Sequence, residues 1–246
     1  VTYYYMAFPY TEDAVTVDGA NRIAGTPGID DPSGSPGSPM LIAGTMEEGF
    51  FGEVPASEFI TGDALASLVG ISAGTSQFSS EGWLKFAYNG KIQFVAKKPI
   101  RHSISWNDIN AAGCVFGKNV QIGGLTYKVR LMKTGLSDPM SYSSGAVLHG
   151  SEWNRLMLPI HVRAKDKSWI YPNNVESDIP YWGIDFTDED LLTHDSFGSG
   201  SFSWCQETYS SDRVYRGNFG VSYAGYVSPG YTWSDLGWRP VLELVA

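Results

Sequence analysis

Hydrophobic and polar positions in this chain alternate in short runs, and glycine or proline closes each run before it can become a long helix. Trp83-Leu84-Lys85-Phe86-Ala87-Tyr88 and Lys91-Ile92-Gln93-Phe94-Val95-Ala96 alternate on either side of Asn89-Gly90. That dipeptide favours a two-residue hairpin turn because both turn positions need a positive φ. A second hairpin is expected from Val120-Gln121-Ile122 and residues 125–131 around Gly123-Gly124. Met40-Leu41-Ile42-Ala43 can form a short strand and Phe50-Phe51 has the look of a buried pair. Two further buried strands are predicted near the end, over residues 203–208 and 237–244. Helical signals are brief and carry their own caps. Thr61 opens a helix stopped by Gly70, Ser105-Trp106-Asn107-Asp108 has the form of a capping box and leads to Gly113, and Ser151 opens another over 151–157. Residues 163–200 are irregular and acidic, with one helical turn expected over 187–192.

The first 39 residues read differently. Val1-Thr2-Tyr3-Tyr4-Tyr5-Met6-Ala7-Phe8 is dense in strand formers and stops at Pro9. One short strand has no core of its own, so it must add to a sheet elsewhere, in this chain or in a neighbour. Residues 25–39 are almost all Gly, Pro, Ser and Asp, which give neither a helical nor a strand period and read as a linker. Residues 1–39 are therefore expected to be an extended arm. Residues 40–80 form a connector with one short helix, and 81–246 the main domain.

Composition narrows the class. With 28 glycines, 14% aromatic residues and only 17% charged residues, the chain fits a loop-rich protein with much β-structure better than a helical bundle. The formal charge of −9 argues against a general nucleic-acid binder, which needs a basic surface to displace counterions. No apolar run approaches the roughly 18 residues of a membrane span, so no membrane insertion is expected. No basic-then-apolar leader opens the sequence and no Asn-x-Ser/Thr sequon occurs, so assembly without secretion machinery is expected. Cys114 and Cys205 are read as buried free thiols, with a single bridge between them as the alternative.

Little points to catalysis or metal binding. Trp106-Asn107-Asp108 spells a triplet used by calcium-dependent lectins, but its place after Ser105 marks it as a helix cap. Asp185, Asp188, Glu189 and Asp190 offer oxygen ligands without the spacing of an EF-hand loop, and read as a solvated acidic turn. His102, His149, His161 and His194 lie apart with no HExxH pair, so neither metal nor cofactor is expected. The segment between the two terminal strands is distinctive. Tyr209, Arg213, Tyr215, Arg216, Asn218, Tyr223, Tyr226, Tyr231, Trp233 and Asp235, spaced by glycines, are the residue types that antibody loops use to grip partners. The alternative is that many of these rings fill a loop-rich core.

The order of hairpin, helix, hairpin, helix, irregular region and terminal strand resembles the C-type-lectin-like fold, an α+β architecture of short helices around small antiparallel sheets. The likeness is to its phage and bacterial branch, which includes formylglycine-generating-enzyme-like domains and phage tropism proteins. Gly237-Trp238-Arg239 and Arg216-Gly217-Asn218 are similar to segments of that branch. Residues 41–100, with Ile42-Ala43-Gly44, Gly49-Phe50-Phe51-Gly52-Glu53-Val54-Pro55 and Trp83-Leu84-Lys85-Phe86, look like the preceding segment of tailed-phage virion proteins. The resemblance implies a virion protein, assembled in the host cytoplasm, whose terminal loops bind a host surface glycan or receptor. Its arm would contact other virion proteins and sibling subunits of a homo-oligomer. A purely architectural role as capsid decoration, collar or fibre subunit is the alternative. Trp204, Trp238 and Arg239 would be framework. The enzymes of that branch use a pair of terminal cysteines where this chain has Cys205 alone, which argues against their chemistry. No Glu-Pro-Asn or Gln-Pro-Asp motif marks a calcium-dependent sugar site.

Overall fold

The computed structural model describes residues 29–140 and 145–245, together with the backbone of Tyr3–Tyr5 and Ile23–Gly25. These last two segments are β1 and β2, paired antiparallel in a sheet of their own. Then come β3 (Ala43–Gly44), β4 (Glu48–Val54), α1 (Gly62–Val69), β5 (Thr75–Ser76), β6 (Trp83–Tyr88), β7 (Lys91–Ala96) and β8 (Arg101–His102). After these lie α2 (Trp106–Ala111), β9 (Lys118–Ile122), β10 (Leu125–Arg130), α3 (Glu152–Met157) and α4 (Asp188–Leu191). The chain closes with β11 (Phe202–Tyr209), β12 (Asp212–Gly217), β13 (Ala224–Val227), β14 (Leu236–Trp238) and β15 (Val241–Leu244). The architecture is α+β, with sheet as the dominant part and four short α-helices among the described residues. Residues 1–2, 6–22 and 26–28 of the arm lie outside the described residues.

Local chemistry explains these elements. Asn89 and Gly90 both take positive φ, 49° and 72°, and so close the β6–β7 hairpin with a turn whose twist matches the strands. Gly123 and Gly124 do the same between β9 and β10. Thr61 accepts a hydrogen bond from Ala64 N at the start of α1, and Gly70 ends it in the left-handed conformation. Ser105 and Asp108 form a reciprocal capping box on α2, which settles Trp106-Asn107-Asp108 as a helix start.

Two sheets carry the fold. The larger has seven strands in the order β3-β4-β6-β7-β15-β10-β9, all antiparallel. The other has six in the order β13-β12-β11-β14-β8-β5, antiparallel except for the β11–β14 pair. Because β4 pairs with β6, the expected connector shares a sheet with the main domain. It shares a core as well, since Leu65, Ala66 and Val69 of α1 pack among the buried residues of that domain.

Alternation in β6 and β7 predicts one solvated face, yet both faces are buried. Trp83, Ala87, Ile92 and Phe94 enter one core with α1, α2 and the six-stranded sheet, while Leu84, Phe86 and Val95 enter a second core with α3 and residues 156–191. Each large apolar side chain sealed in this way contributes about 1.5–3 kcal/mol. The polar partners of the alternation are satisfied instead of solvated. Lys85, 0% exposed, forms an ion pair with Asp31 at 2.7 Å, donates to Ser38 O at 2.9 Å and lies over the Phe51 ring.

Asp31 belongs to the stretch whose composition predicts a linker. Its carboxylate accepts from Ser33 N, Ser33 Oγ and Ser35 Oγ, its own N–H donates to Pro39 O, and neighbouring Asp30 accepts from Leu41 N. Burial alone would raise the Asp31 pKa, but Lys85 and the serine donors hold it below its ordinary value. Residues 30–39 are thus a plug pinned over the sheet. Removing one partner strands a buried charge, so Asp31→Ala should cost about 3 kcal/mol in urea unfolding, whereas Asp31→Ala with Lys85→Met should recover most of it. Equal losses in the single and double variants would refute the pairing.

The terminal strand is expected to be continuous over 237–244, but it is two strands in two sheets. Pro240 has no N–H for a ladder, so the chain leaves the six-stranded sheet after Trp238 and enters the seven-stranded sheet at Val241. Arg239 sits at that crossing, 1% exposed.

Candidate functional site

The predicted binding residues divide by depth. Arg216 is fully buried and donates to Thr134 Oγ1 at 3.0 Å, Asn154 Oδ1 at 2.8 Å and Tyr223 O at 3.1 Å. Gly217 comes next at φ 92°, where a Cβ would fall 2.1 Å from Ser201 O, and Asn218 is buried with its carbonyl accepting from Asp195 N. The Arg-Gly-Asn segment is therefore a structural corner, and Arg216 and Asn218 leave the contact surface. Tyr215 is also buried and stacks on Phe202 at 4.9 Å; a side chain on Gly225 would collide with its ring.

Two buried guanidiniums lie over the Trp153 ring, with Arg216 Cζ 5.4 Å and Arg239 Cζ 5.8 Å from its centroid. Arg239 donates to Ser203 Oγ, to Ala96 O at the end of β7 and Lys97 O just past it, and to Leu191 O at α4. Burial without a facing carboxylate pulls its pKa down to about 9, so it stays charged at neutral pH. With Trp204 and Trp238, both fully buried, it forms the framework expected of it.

Exposure marks a different subset. Tyr226, Tyr231 and Trp233 are 43%, 44% and 52% exposed. Tyr231 and Trp233 stack on one another at 4.7 Å, and Tyr226 meets Tyr209 at 4.4 Å. The Tyr231–Trp233 loop is held by Tyr231 N donating to Ser228 O and Leu236 N donating to Trp233 O, and by Asn107 N of α2 donating to Pro229 O. Arg213 lies half-buried with its guanidinium 4.4 Å from the Trp106 ring, and exposed Phe116 meets the same indole at 6.1 Å. Asp235 is half-buried and its carbonyl accepts from Phe202 N. Tyr223 turns away from this face, packing on Tyr171 at 4.8 Å and Phe219 at 5.1 Å.

Beyond Tyr223, Phe219 meets His194 at the edge of a cleft of about 540 Å³ that the sequence does not reveal. His161, Val162, Arg163, Ile170, Asp188, His194 and Phe197 line it. Backbone bridges His161–Phe186 and His194–Phe219 draw these distant segments together. Asp188 is central: its Oδ1 accepts from Thr193 Oγ1 and Val221 N, each at 2.7 Å. Burial would raise its pKa, but His161 and these donors hold it at about 2. Asp188 is therefore part of the scaffold, not of a solvated acidic turn. No periodicity marks the region; lone histidines in an acidic stretch were the signal available.

Cys114 and Cys205 are buried and unbridged. Burial pushes the Cys114 thiol up to about 11 and the Cys205 thiol well above its ordinary value, which leaves neither as a ready nucleophile. Among the described residues no group of three His, Cys, Asp or Glu side chains is arranged to hold a metal ion, and no helix is long and apolar enough to cross a membrane. No protein-family model matches the chain, and no curated protein or solved structure resembles it significantly.

Glu207, buried on β11, supplies a pH test of this framework. Burial raises its pKa to about 7, against the backbone donor Thr134 N at 3.0 Å. The folded state then holds a proton that the unfolded state releases above its ordinary value of 4.5. This group's contribution is fully present below about pH 4.5 and is lost as pH rises to about 7, roughly 3 kcal/mol in all. Glu207→Gln should therefore melt several degrees above the native chain at pH 8 and lose that advantage near pH 5. A melting difference independent of pH would contradict the assignment.

Proposed function

We propose that this chain is a binding module: a virion structural protein of a tailed phage whose C-type-lectin-like domain grips a host surface glycan or receptor. The observation that carries the reading is the stacked Tyr231–Trp233 pair, large aromatic area left in solvent on a loop tied at both ends. Rings of this kind give rigid contact at little conformational cost, and aromatic anchors dominate binding hot spots. Tyr226, 43% exposed against Tyr209, is a further aromatic ring in solvent, and Arg213 adds planar donors beside Trp106. The domain's closure supports the fold assignment. Its last strand, β15, lies inside the larger sheet between β7 of the first hairpin and β10 of the second.

The architectural alternative has its own observation. Ile29, Met40 and Ile42 are exposed around the plug where the arm joins the domain. An apolar surface at that place suits contact with other virion proteins or with sibling subunits, in keeping with a homo-oligomer on the particle.

Both readings meet one experiment. The full chain should bind intact host cells, and Tyr231→Ala with Trp233→Ala should weaken that binding by at least about tenfold with melting unchanged. Ile42→Ser should leave cell binding intact and reduce incorporation into particles. Undiminished cell binding by the double variant would remove the aromatic face from the account.

A further inference from the structure

We infer that the outer edge of β9 is the docking site for the β1–β2 hairpin of a second copy of this chain, so that the seven-stranded sheet continues into its neighbour. The inference deepens the proposal that the arm meets sibling subunits, and rests on it. The donor lacks a core. β1 and β2 pair with each other and with neither main sheet, and a two-stranded sheet alone is marginally stable in water. Of the two, β1 is the strand suited to dock. It lies within residues 1–8, a run dense in strand formers, whereas β2 ends at Gly25, two residues before Pro27.

The acceptor lacks a partner. Among the strands that end the two main sheets, β9 is the longest, with five residues against four in β13 and two each in β3 and β5. Its register fixes which groups look outward. Val245 N donates to Thr126 O, so Thr126 and Lys128 turn their backbone toward β15, while Leu125, Tyr127 and Val129 turn theirs toward β9. That engages Ile122, Val120 and Lys118, and leaves the N–H and C=O groups of Asn119 and Gln121 pointing away from the sheet. No other described segment pairs with them. Sheet edges are commonly blunted by proline, a bulge or an outward charge. β9 has no proline and no break in register, and its one charged side chain is drawn back, with Lys118 Nζ donating to Val69 O at 2.8 Å. At the turn, Ile122 and Leu125 pack on the core yet stay partly uncovered, so a docked strand would close apolar surface as well as the ladder. The hairpin of the same chain stands apart from this edge. Each copy therefore carries one donor and one acceptor, and exchange between copies satisfies both.

Sedimentation equilibrium of full-length chains tests the pairing. The native chain should self-associate at about 100 μM. Gln121→Pro removes only an outward N–H, so it should melt as the native chain does when dilute, yet weaken association by at least about tenfold. Asn119→Pro, whose N–H points the same way, serves in its place if that variant melts early. Tyr4→Pro should break the donor strand and abolish association equally. An equal mixture of the two broken chains should form a one-to-one heterodimer, since one keeps a donor and the other an acceptor. A native chain that stays monomeric would sink both the docking site and the sibling contact. Association lost in Tyr4→Pro but retained in Gln121→Pro and Asn119→Pro would keep the sibling contact and overturn β9 as its acceptor, as would a mixture that fails to associate.

Discussion

The fold depends on the need to satisfy one guanidinium where the chain passes from one sheet to the other. Arg239 is sealed from water without a carboxylate to offset it, so its charge is balanced only by carbonyl and hydroxyl oxygens. Those oxygens come from the end of β7, the end of α4 and the start of β11, and they converge only if both sheets and the irregular segment are in place together. Pro240 forces the crossing, and the buried Trp153 ring meets the guanidiniums of both Arg239 and Arg216. A buried charge with this many obligations specifies one arrangement and penalises near misses.

That constraint divides the terminal segment into residues that hold the fold and residues that are displayed by it. Much of the aromatic and arginine-rich stretch is consumed in satisfying the interior: Tyr215 against Phe202, Arg216 beneath Trp153, Asn218 in the corner after Gly217. The remainder stays at the surface. Tyr226, Tyr231 and Trp233 keep close to half their area in solvent even though nearby hydrophobic cores are closed. A second, more enclosed surface arises where His161, Asp188 and His194 are drawn together by isolated backbone bridges. One surface is broad and aromatic and the other narrow and polar-floored.

Local signals were legible where a residue acts through its own backbone. Asn89-Gly90, Gly123-Gly124, Thr61 with Gly70, and Ser105 with Asp108 each specify a turn or cap that needs no distant partner. Signals failed where a distant segment decides. Alternation in β6 implies a wet face, but Asp31, far off in a stretch with the composition of a linker, covers Lys85. Arg216 and Trp233 look alike as binding residues in sequence, and only the position of Trp153 and Asn154 separates them. The cleft was invisible for the same reason: its floor is assembled from residues 161, 188 and 194 by pairing that leaves no period.

The central claim is that the exposed aromatics are carried by the fold and do not hold it together. Urea unfolding of two variants beside the native chain tests it directly. Tyr226→Ser, Tyr231→Ser and Trp233→Ser combined should change stability by no more than about 1 kcal/mol, as surface substitutions do, whereas Arg239→Met should lose at least about 3 kcal/mol by orphaning the oxygens around it. If the triple variant loses as much as Arg239→Met, those rings are part of the core and the account of a displayed binding face is wrong.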